Sequence, residues 1–467
     1  MKIYLLTDFG STYTKVTAID VEYGTIVAFG KAFTTIEDDV TIGYNNALSQ
    51  IYQQLGQFVL AASLACSSAA GGLKMVSSGL VPDLTAKASR LAAASAGAKV
   101  MKTYSYELTE FEIEEIEAIN PDIVLLSGGI DGGNKAVILH NASIIAKVAG
   151  EFFVIVAGNR SAATQAREIL EAGGKKVVVC ENVMPAFGKL NIMPAKAAIR
   201  DLFIANIITA KGLDKAAAMM DMEIIPTPLA VFEACELLSN GTKAEKGLGE
   251  LMAYDLGGAT TDVYSMADGM PKVPNSFISG INEPFAKRSV EGDLGMRYSL
   301  TAMYDLIVEE DGGASFCTAG GFAMGAVQSW LEICRNDPSV MPHNEYAKYA
   351  DIDASFAAYA IRVGASRHVG RTQKIYTPNG EMLSQEGKDL TQVRYVIGSG
   401  GAVINAQNPL NIMKEAIYSP RDLNDLKPLA PKILLDERNC LAAMGLLARR
   451  EPDMALRIMK DSFVEIG

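Results

Sequence analysis

The chain has 467 residues, of which 49% are hydrophobic and 21% charged, with a formal charge of -12; at roughly 100 to 200 residues per domain this implies two or more domains of a globular α/β protein rather than a disordered chain. The acidic balance repels phosphate backbones and anionic lipid, so no nucleic-acid or membrane partner is expected, and no apolar run reaches the roughly 18 residues of a membrane span. Six cysteines without CxxC spacing and only three histidines, His140, His343 and His368, argue against a zinc site or a disulfide framework, and without a long apolar leader the expected location is the cytoplasm.

In chain order, residues 3–7, 15–20 and 25–33 read as three strands joined by turns at Gly10 and Gly24, a run of hairpins. A helix at 44–55 and an apolar strand at 59–66 follow. Across 73–222 strands at 75–78, 123–127, 153–157 and 176–180 alternate with helices at 83–96 and 135–148, the rhythm of a parallel, doubly wound sheet. A helix at 226–238 and a Gly/Lys-rich turn at 241–249 then lead to strands at 251–255 and 261–266, where the opening pattern recurs. The expected division is a first half at 1–72, an inserted α/β domain at 73–222, a second half at 223–310, a subdomain at 311–394 and a closing segment at 395–467.

The first turn runs Asp8-Phe9-Gly10-Ser11-Thr12-Tyr13-Thr14-Lys15. Gly10 is expected to take φ > 0 and expose amide N–H groups, to which the hydroxyls of Ser11, Thr12 and Thr14 add donors for a phosphate. Asp8, ending a buried strand, suits a water of hydrated magnesium, and Lys15 supplies a point charge. An ordinary hairpin with a capping aspartate reads equally well from this segment alone.

The second turn, Asp255-Leu256-Gly257-Gly258-Ala259-Thr260-Thr261-Asp262, carries the same chemistry with one more carboxylate. Gly257, Gly258 and Ala259 bring backbone within reach of phosphate, Thr260 and Thr261 add hydroxyls, and Asp255 gives a second metal-side carboxylate. Asp262 could orient or deprotonate a water, making Asp8, Asp255 and Asp262 the candidate catalytic set. A third segment, Tyr395 to Ala402, ends an apolar strand in Gly398-Ser399-Gly400-Gly401, where glycine would let a flat base approach, though from this segment alone an ordinary structural turn reads somewhat better.

Taken in order, these segments resemble the phosphate 1, phosphate 2 and adenosine motifs of the superfamily of actin, sugar kinases and the large heat-shock ATPases. Segments 226–238 and 441–446 resemble its two connecting helices. The resemblance implies a duplicated ribonuclease H-like actin-like ATPase fold with an inserted α/β domain, binding ATP or ADP with Mg at Asp8 and Asp255. The whole chain further resembles the accessory protein L family linked to glutamate mutase, on residues 8–15, Leu126-Ser127-Gly128-Gly129-Ile130-Asp131-Gly132-Gly133, and Arg288-Ser289-Val290-Glu291-Gly292-Asp293-Leu294-Gly295-Met296-Arg297. That resemblance implies an ATPase acting as a reactivating chaperone for an adenosylcobalamin-dependent mutase, through contact with the client protein rather than stable cobalamin binding; a homodimer is compatible with it.

A small-molecule kinase or a filament-forming protein on the same fold are the rival readings, since activity lies in the site and its partners. Residues 127–133 read as a second phosphate loop or, alternatively, a topological turn. Glu291 and Asp293 read as γ-phosphate neighbours or a helix-capping loop. The acidic run from Glu110 to Glu117 reads as a solvated helix face, and Met219, Met220 and Met222 as core filling or a soft contact surface.

Overall fold

β-branched, aromatic and other apolar residues at the start of the chain form β1 (Lys2–Phe9), β2 (Tyr13–Asp20) and β3 (Thr25–Phe33), in a computed structural model that describes residues 1–35, 39–68, 73–204, 213–378 and 380–467. The expected boundary at residue 72, and residues 205–212 of the expected inserted domain, lie outside the described residues. By its contacts the chain divides into two units, residues 1–232 with 280–284, and residues 233–279 with 285–467.

In the first unit β1 pairs antiparallel with β2 and parallel with β4 (Val59–Ser67), and β2 pairs antiparallel with β3. Helix α1 (Val40–Leu55) lies on one face of this sheet, its N-terminus capped by the Asp39 carboxylate, which accepts the Thr41 N–H. Its Val40, Tyr44, Ala47 and Ile51 are buried with Phe9, Val16 and Ala18, each large side chain contributing roughly 1.5–3 kcal/mol of transfer free energy.

The chain then forms a second sheet from β5 (Lys74–Gly79), β6 (Lys99–Ser105), β7 (Ile123–Leu126), β8 (Phe153–Val156) and β9 (Lys176–Val179). All are parallel, in the order β6-β5-β7-β8-β9. This is the doubly wound sheet expected from the sequence, with β7 and β8 reading as continuous apolar runs because both faces are covered. Strand β6 escapes a pattern reading: it is an edge strand, and Lys99 and Lys102 interrupt its apolar residues. Strand β10 (Ile225–Pro226) returns to the first sheet beside β4, giving the order β10-β4-β1-β2-β3. Helix α2 (Thr227–Asn240) follows at once.

The second unit repeats the plan. Strands β11 (Leu251–Leu256) and β12 (Thr261–Met266) form a hairpin; after the short β13 (Ser276–Ser279), β14 (Ala286–Glu291) adds antiparallel to β12. Residues 292–368 are mainly helical, ending in α3 (Ala350–His368), which buries Ile352, Phe356, Ala360 and Ile361 with Trp330 and Leu294. A hairpin of β15 (Arg371–Thr377) and β16 (Gly380–Glu386) takes β13 as its third strand. Strands β17 (Tyr395–Ser399) and β18 (Lys432–Leu435) then extend the main sheet parallel to β11, and β19 (Val464–Glu465) closes it. Helix α4 (Leu441–Ala448) follows β18.

Its order is β14-β12-β11-β17-β18-β19. Strand for strand, and direction for direction, β11, β12, β14, β17 and β18 match β1, β2, β3, β4 and β10. Two ribonuclease H-like sheets with a parallel sheet inserted between β4 and β10 constitute the duplicated actin-like ATPase fold. Residues 280–284, between β13 and β14, belong by contact to the first unit, where Ile281 is buried and Glu283 pairs with Lys87 at 2.9 Å. Among the described residues no helix is long and apolar enough to cross a membrane.

Candidate functional site

The two hairpin turns are built alike. Asp8 stands opposite Lys15 and Asp255 opposite Asp262. Gly10 N–H donates to Tyr13 O at 3.1 Å, and Gly257 N–H to Thr260 O at 2.9 Å. In each unit the segment after the third strand then takes the turn's carbonyls. Thr34 donates from its N–H to Thr12 O at 3.0 Å and from its hydroxyl to Gly10 O at 2.8 Å. In the second turn Met296 N–H donates to Gly257 O at 3.0 Å, Arg297 and Tyr298 N–H to Gly258 O at 2.8 and 2.9 Å, and Ser299 Oγ to Ala259 O at 2.8 Å.

With the carbonyls held, the N–H groups of Ser11, Thr12, Gly258, Ala259 and Thr260 have no acceptor among the described residues. A concavity of successive unpartnered amides suits an anion. Gly10 does not take φ > 0 as expected. It is required because a Cβ there would lie 2.6 Å from Tyr13 O, closing the turn from within. Gly295 is needed where 294–299 crosses the second turn, since a Cβ would stand 2.3 Å from the Ala259 carbonyl carbon. Gly295→Ala is therefore expected to cost about 1–3 kcal/mol in denaturant unfolding and to distort the turn; an unchanged midpoint would show that the brace yields freely.

Asp8 is half-buried and oriented from three sides. Thr227 Oγ1, at the start of α2, donates to its Oδ1 at 2.7 Å, the Cys66 thiol lies 3.6 Å from the same oxygen, and Lys15 Nζ is 3.8 Å from Oδ2. Burial, reinforced by the Asp8 charge, pushes the Cys66 thiol well above its ordinary pKa, so it stays a neutral donor. Asp255 occupies the matching strand end, half-buried.

Asp262 is differently placed from a free base. Its Oδ1 accepts from Arg288 on β14, Nε at 2.8 Å and Nη2 at 2.5 Å, while Oδ2 accepts from Thr260 Oγ1 at 3.2 Å. Burial alone would pull the guanidinium's pKa down; the Asp262 carboxylate and the Tyr264 phenol together outweigh it and raise the value. Thr14 and Thr261 turn inward, toward Thr34 Oγ1 at 3.0 Å and Leu294 O at 2.5 Å, so their hydroxyls support the turns from behind.

In the third segment only the far end faces open space. Gly398 lies under Met413, and the buried Ser399 hydroxyl reaches Asp436 Oδ2 at 3.1 Å and Asn439 Oδ1 at 3.2 Å. Asp436 also accepts the N–H groups of Cys440 and Leu441 at 3.0 and 3.1 Å, anchoring the start of α4. At Gly400, φ is +93°, and a Cβ would sit 2.3 Å from Leu256 O. Glycine there lets the end of β17 pack closely on β11. Gly401 does line a cavity of about 360 Å³, with Ala402 and Asn405 on one side and Asp351, Asp353 and Ser355 of α3 on another. Its volume falls in the usual range of small-molecule pockets.

Sequence reasoning misses the joint between this cavity and the second turn. Arg297 Nη1 donates to Asp353 Oδ1 at 2.9 Å, Nη2 to Oδ2 at 3.4 Å and Nε to Val340 O at 2.9 Å, and Trp330 Nε1 donates to Asp353 Oδ1 at 3.0 Å. The partners lie 56 and 23 residues apart, so no local pattern signals them.

The remaining alternatives resolve by contact. The 127–133 loop is tied internally: Asn159 Oδ1 accepts Gly132 N–H at 3.1 Å, Asn182 Nδ2 donates to Gly129 O at 3.0 Å, and Pro185 O accepts Asp131 N–H at 3.0 Å. These bonds brace it as a turn of the parallel sheet. Glu291 and Asp293 both accept from Arg367, at 2.9 and 2.8 Å. The Glu110–Ile119 helix shows a mostly exposed acidic face with a Thr109/Glu112 capping box. Met220 packs on the core, whereas Met219 and Met222 are exposed.

Over residues 4–463 the chain matches the family model described as MutL protein. It is 43% identical over 468 residues to Protein MutL of Clostridium tetanomorphum, with 100% of both chains covered. Among solved structures it is similar to nucleotide-free acetone carboxylase (13% identity, TM-score 0.37, 96% of this chain and 70% of that one). It is also similar to ligand-bound xylulose kinase from Lactobacillus acidophilus (12%, 0.35, 100% and 93%). A third likeness is to the 2-hydroxyisocaproyl-CoA dehydratase activator from Clostridium difficile with bound ADPNP (12%, 0.29, 100% and 99%). Likenesses this distant add no weight to the chain's own topology. The match in sequence over almost the entire length is what places it: this chain belongs to the MutL protein family.

Proposed function

We propose that this chain is an ATP-dependent reactivating partner of an adenosylcobalamin-dependent mutase, glutamate mutase or a related aminomutase. The observation that carries the nucleotide part is the repeated turn, with its carbonyls held from behind, its amides unpartnered and an aspartate at the strand end. The client part rests on the family and on the resemblance to the glutamate mutase accessory proteins.

Magnesium takes few carboxylates and keeps several waters, and the donor set fits that habit. Asp8 and Asp255 are single strand-end carboxylates, and among the described residues no group of three or more His, Cys, Asp or Glu gathers into a cage. When bound, the ion neutralises charge developing on the phosphates. Each of the two strand-end carboxylates suits such a water shell, that of Asp8 kept in one orientation by Thr227. The turn amides and Lys15 bind phosphate oxygens, and Asp262, fixed by Arg288, orients Thr260 through Oδ2. Gly401, Ala402 and the α3 wall receive the adenosine.

Radical catalysis on adenosylcobalamin at times loses the adenosyl group and leaves a dead cofactor tightly held. A partner whose affinity for the client differs between ATP and ADP states can bias the opening that releases it, and only by the amount of that difference. A small-molecule kinase would instead need an acceptor pocket at the phosphates. A second cavity, about 270 Å³ and lined by Glu310, Tyr359 and Arg362, shares Gly320, Ser355 and Ala358 with the first, on the adenosine side.

The test is capture of purified glutamate mutase on immobilised protein with Mg-ATP or Mg-ADP. At least about tenfold different retention is expected, equivalent to roughly 1.4 kcal/mol. Equal retention in both states would remove the basis for nucleotide-driven remodelling.

A further inference from the structure

Lys15 and Lys31 stand directly opposite each other on β2 and β3. The same rung continues through Asp8 on β1 and Cys66 on β4, so both ammonium groups share the Asp8 face at the level of the first turn. Like charges at directly opposed sheet positions destabilise the pairing. Asp8, 3.8 Å from Lys15 Nζ, offsets one of them, and among the described residues no carboxylate pairs with Lys31.

Lys31 is exposed on an edge strand, with one aromatic neighbour to steer its side chain. Its Nζ lies 3.9 Å over the ring of Tyr13, whose own ring packs 4.7 Å from that of Phe33, and Tyr13 O is the acceptor that closes the turn. The opposite face is filled by α1, so close at the neighbouring Gly30 that a Cβ would meet Ala47 O at 2.1 Å. Burial, with the Lys15 charge adding to it, lowers the Lys31 pKa. Two cations on one rung repel weakly in water and offer a paired positive charge to an anion.

We propose that Lys31 is a second cation of the first phosphate turn, clamping with Lys15 the outer phosphates of a nucleoside triphosphate. The role rests on the nucleotide reading above. A polyphosphate brings several anionic oxygens beside the rung and converts the repulsion between the lysines into a shared attraction, while the Tyr13 ring fixes the path of the side chain.

Its signature is a pair of effects of opposite sign. Lys31→Met keeps the apolar stem on Tyr13 and removes the charge, so the nucleotide-free protein is expected to melt about 1–2 °C higher. Calorimetric affinity for Mg-ATP, and for pyrophosphate used as a probe without a base, is expected to fall about tenfold. Lys31→Arg should keep affinity near that of the unaltered protein. Unaltered protein that binds Mg-ATP while Lys31→Met binds it equally well overturns the clamp alone. Weaker binding together with a lower melting temperature overturns it in favour of a structural lysine. Unaltered protein that binds neither ATP nor pyrophosphate overturns the nucleotide reading and the clamp with it.

Discussion

Asp255→Ala is expected to reduce Mg-ATP turnover by about a hundredfold or more while the protein stays folded. The side chain ends β11 and is only half-buried, whereas its neighbours Tyr254 and Leu256 carry the packing. The hairpin hydrogen bond from Gly257 and the four bonds from residues 296–299 do not involve it, so the turn should keep its shape. What is lost is a charge at the place where magnesium would be held, and an electrostatic contribution of that kind is among the largest a site possesses. Phosphate release and thermal melting, measured on the same preparation, check both halves. Turnover within a fewfold of the unaltered protein would remove Asp255 from the site.

Arg288→Met should produce the largest loss of stability, about 3–5 kcal/mol in denaturant unfolding. Arg288 and Asp262 are both buried, and the arginine approaches Oδ1 with two nitrogens. Removing it leaves a carboxylate enclosed without its partner, on the face where Tyr264 is also buried and its phenol pushed to a higher pKa. Adding Asp262→Asn removes the stranded charge and should restore most of the loss, because uncompensated charge rather than lost attraction is the main cost. A single change costing less than about 1 kcal/mol, or a double change no better than the single, would contradict this account. The double variant should still bind Mg-ATP but turn it over more slowly, since Thr260 loses its orienting carboxylate.

The duplicated plan was legible because its signal is local. A strand, an aspartate, a glycine-bearing turn and a second strand lie within about fifteen residues in each unit, and hairpin pairing places Asp8 and Asp255 at equivalent ends without long-range information. The inserted parallel sheet was legible from its alternation of strands and helices, apart from edge strand β6. What holds the turns was not legible, because Thr34, the 296–299 segment and the Arg297–Asp353 joint act across folded distance.

Lys31 shows a different obstacle. Counting back from the turn, where Asp20 faces Thr25, puts Gly30 opposite Lys15 and turns Lys31 to the other face. The irregularity between Ala18 and Ile19 adds one residue to β3 and brings Lys31 onto the rung. A single bulge inverts the facing of every later residue, and no residue type announces it here. Gly398 and Ser399 meet a related obstacle: a Gly-rich turn shows that backbones approach closely, but not whether a ligand or a neighbouring strand does the approaching.

The most direct test of the central proposal is recovery of glutamate mutase that has been stalled with an inactive cobalamin, incubated with fresh adenosylcobalamin, magnesium, ATP and this protein. Recovery that needs both the protein and ATP, and fails with Asp255→Ala, is the predicted result. No recovery of this or a related aminomutase, while ATP is still hydrolysed, would contradict the reactivation account and leave an ATPase that acts on some other substrate.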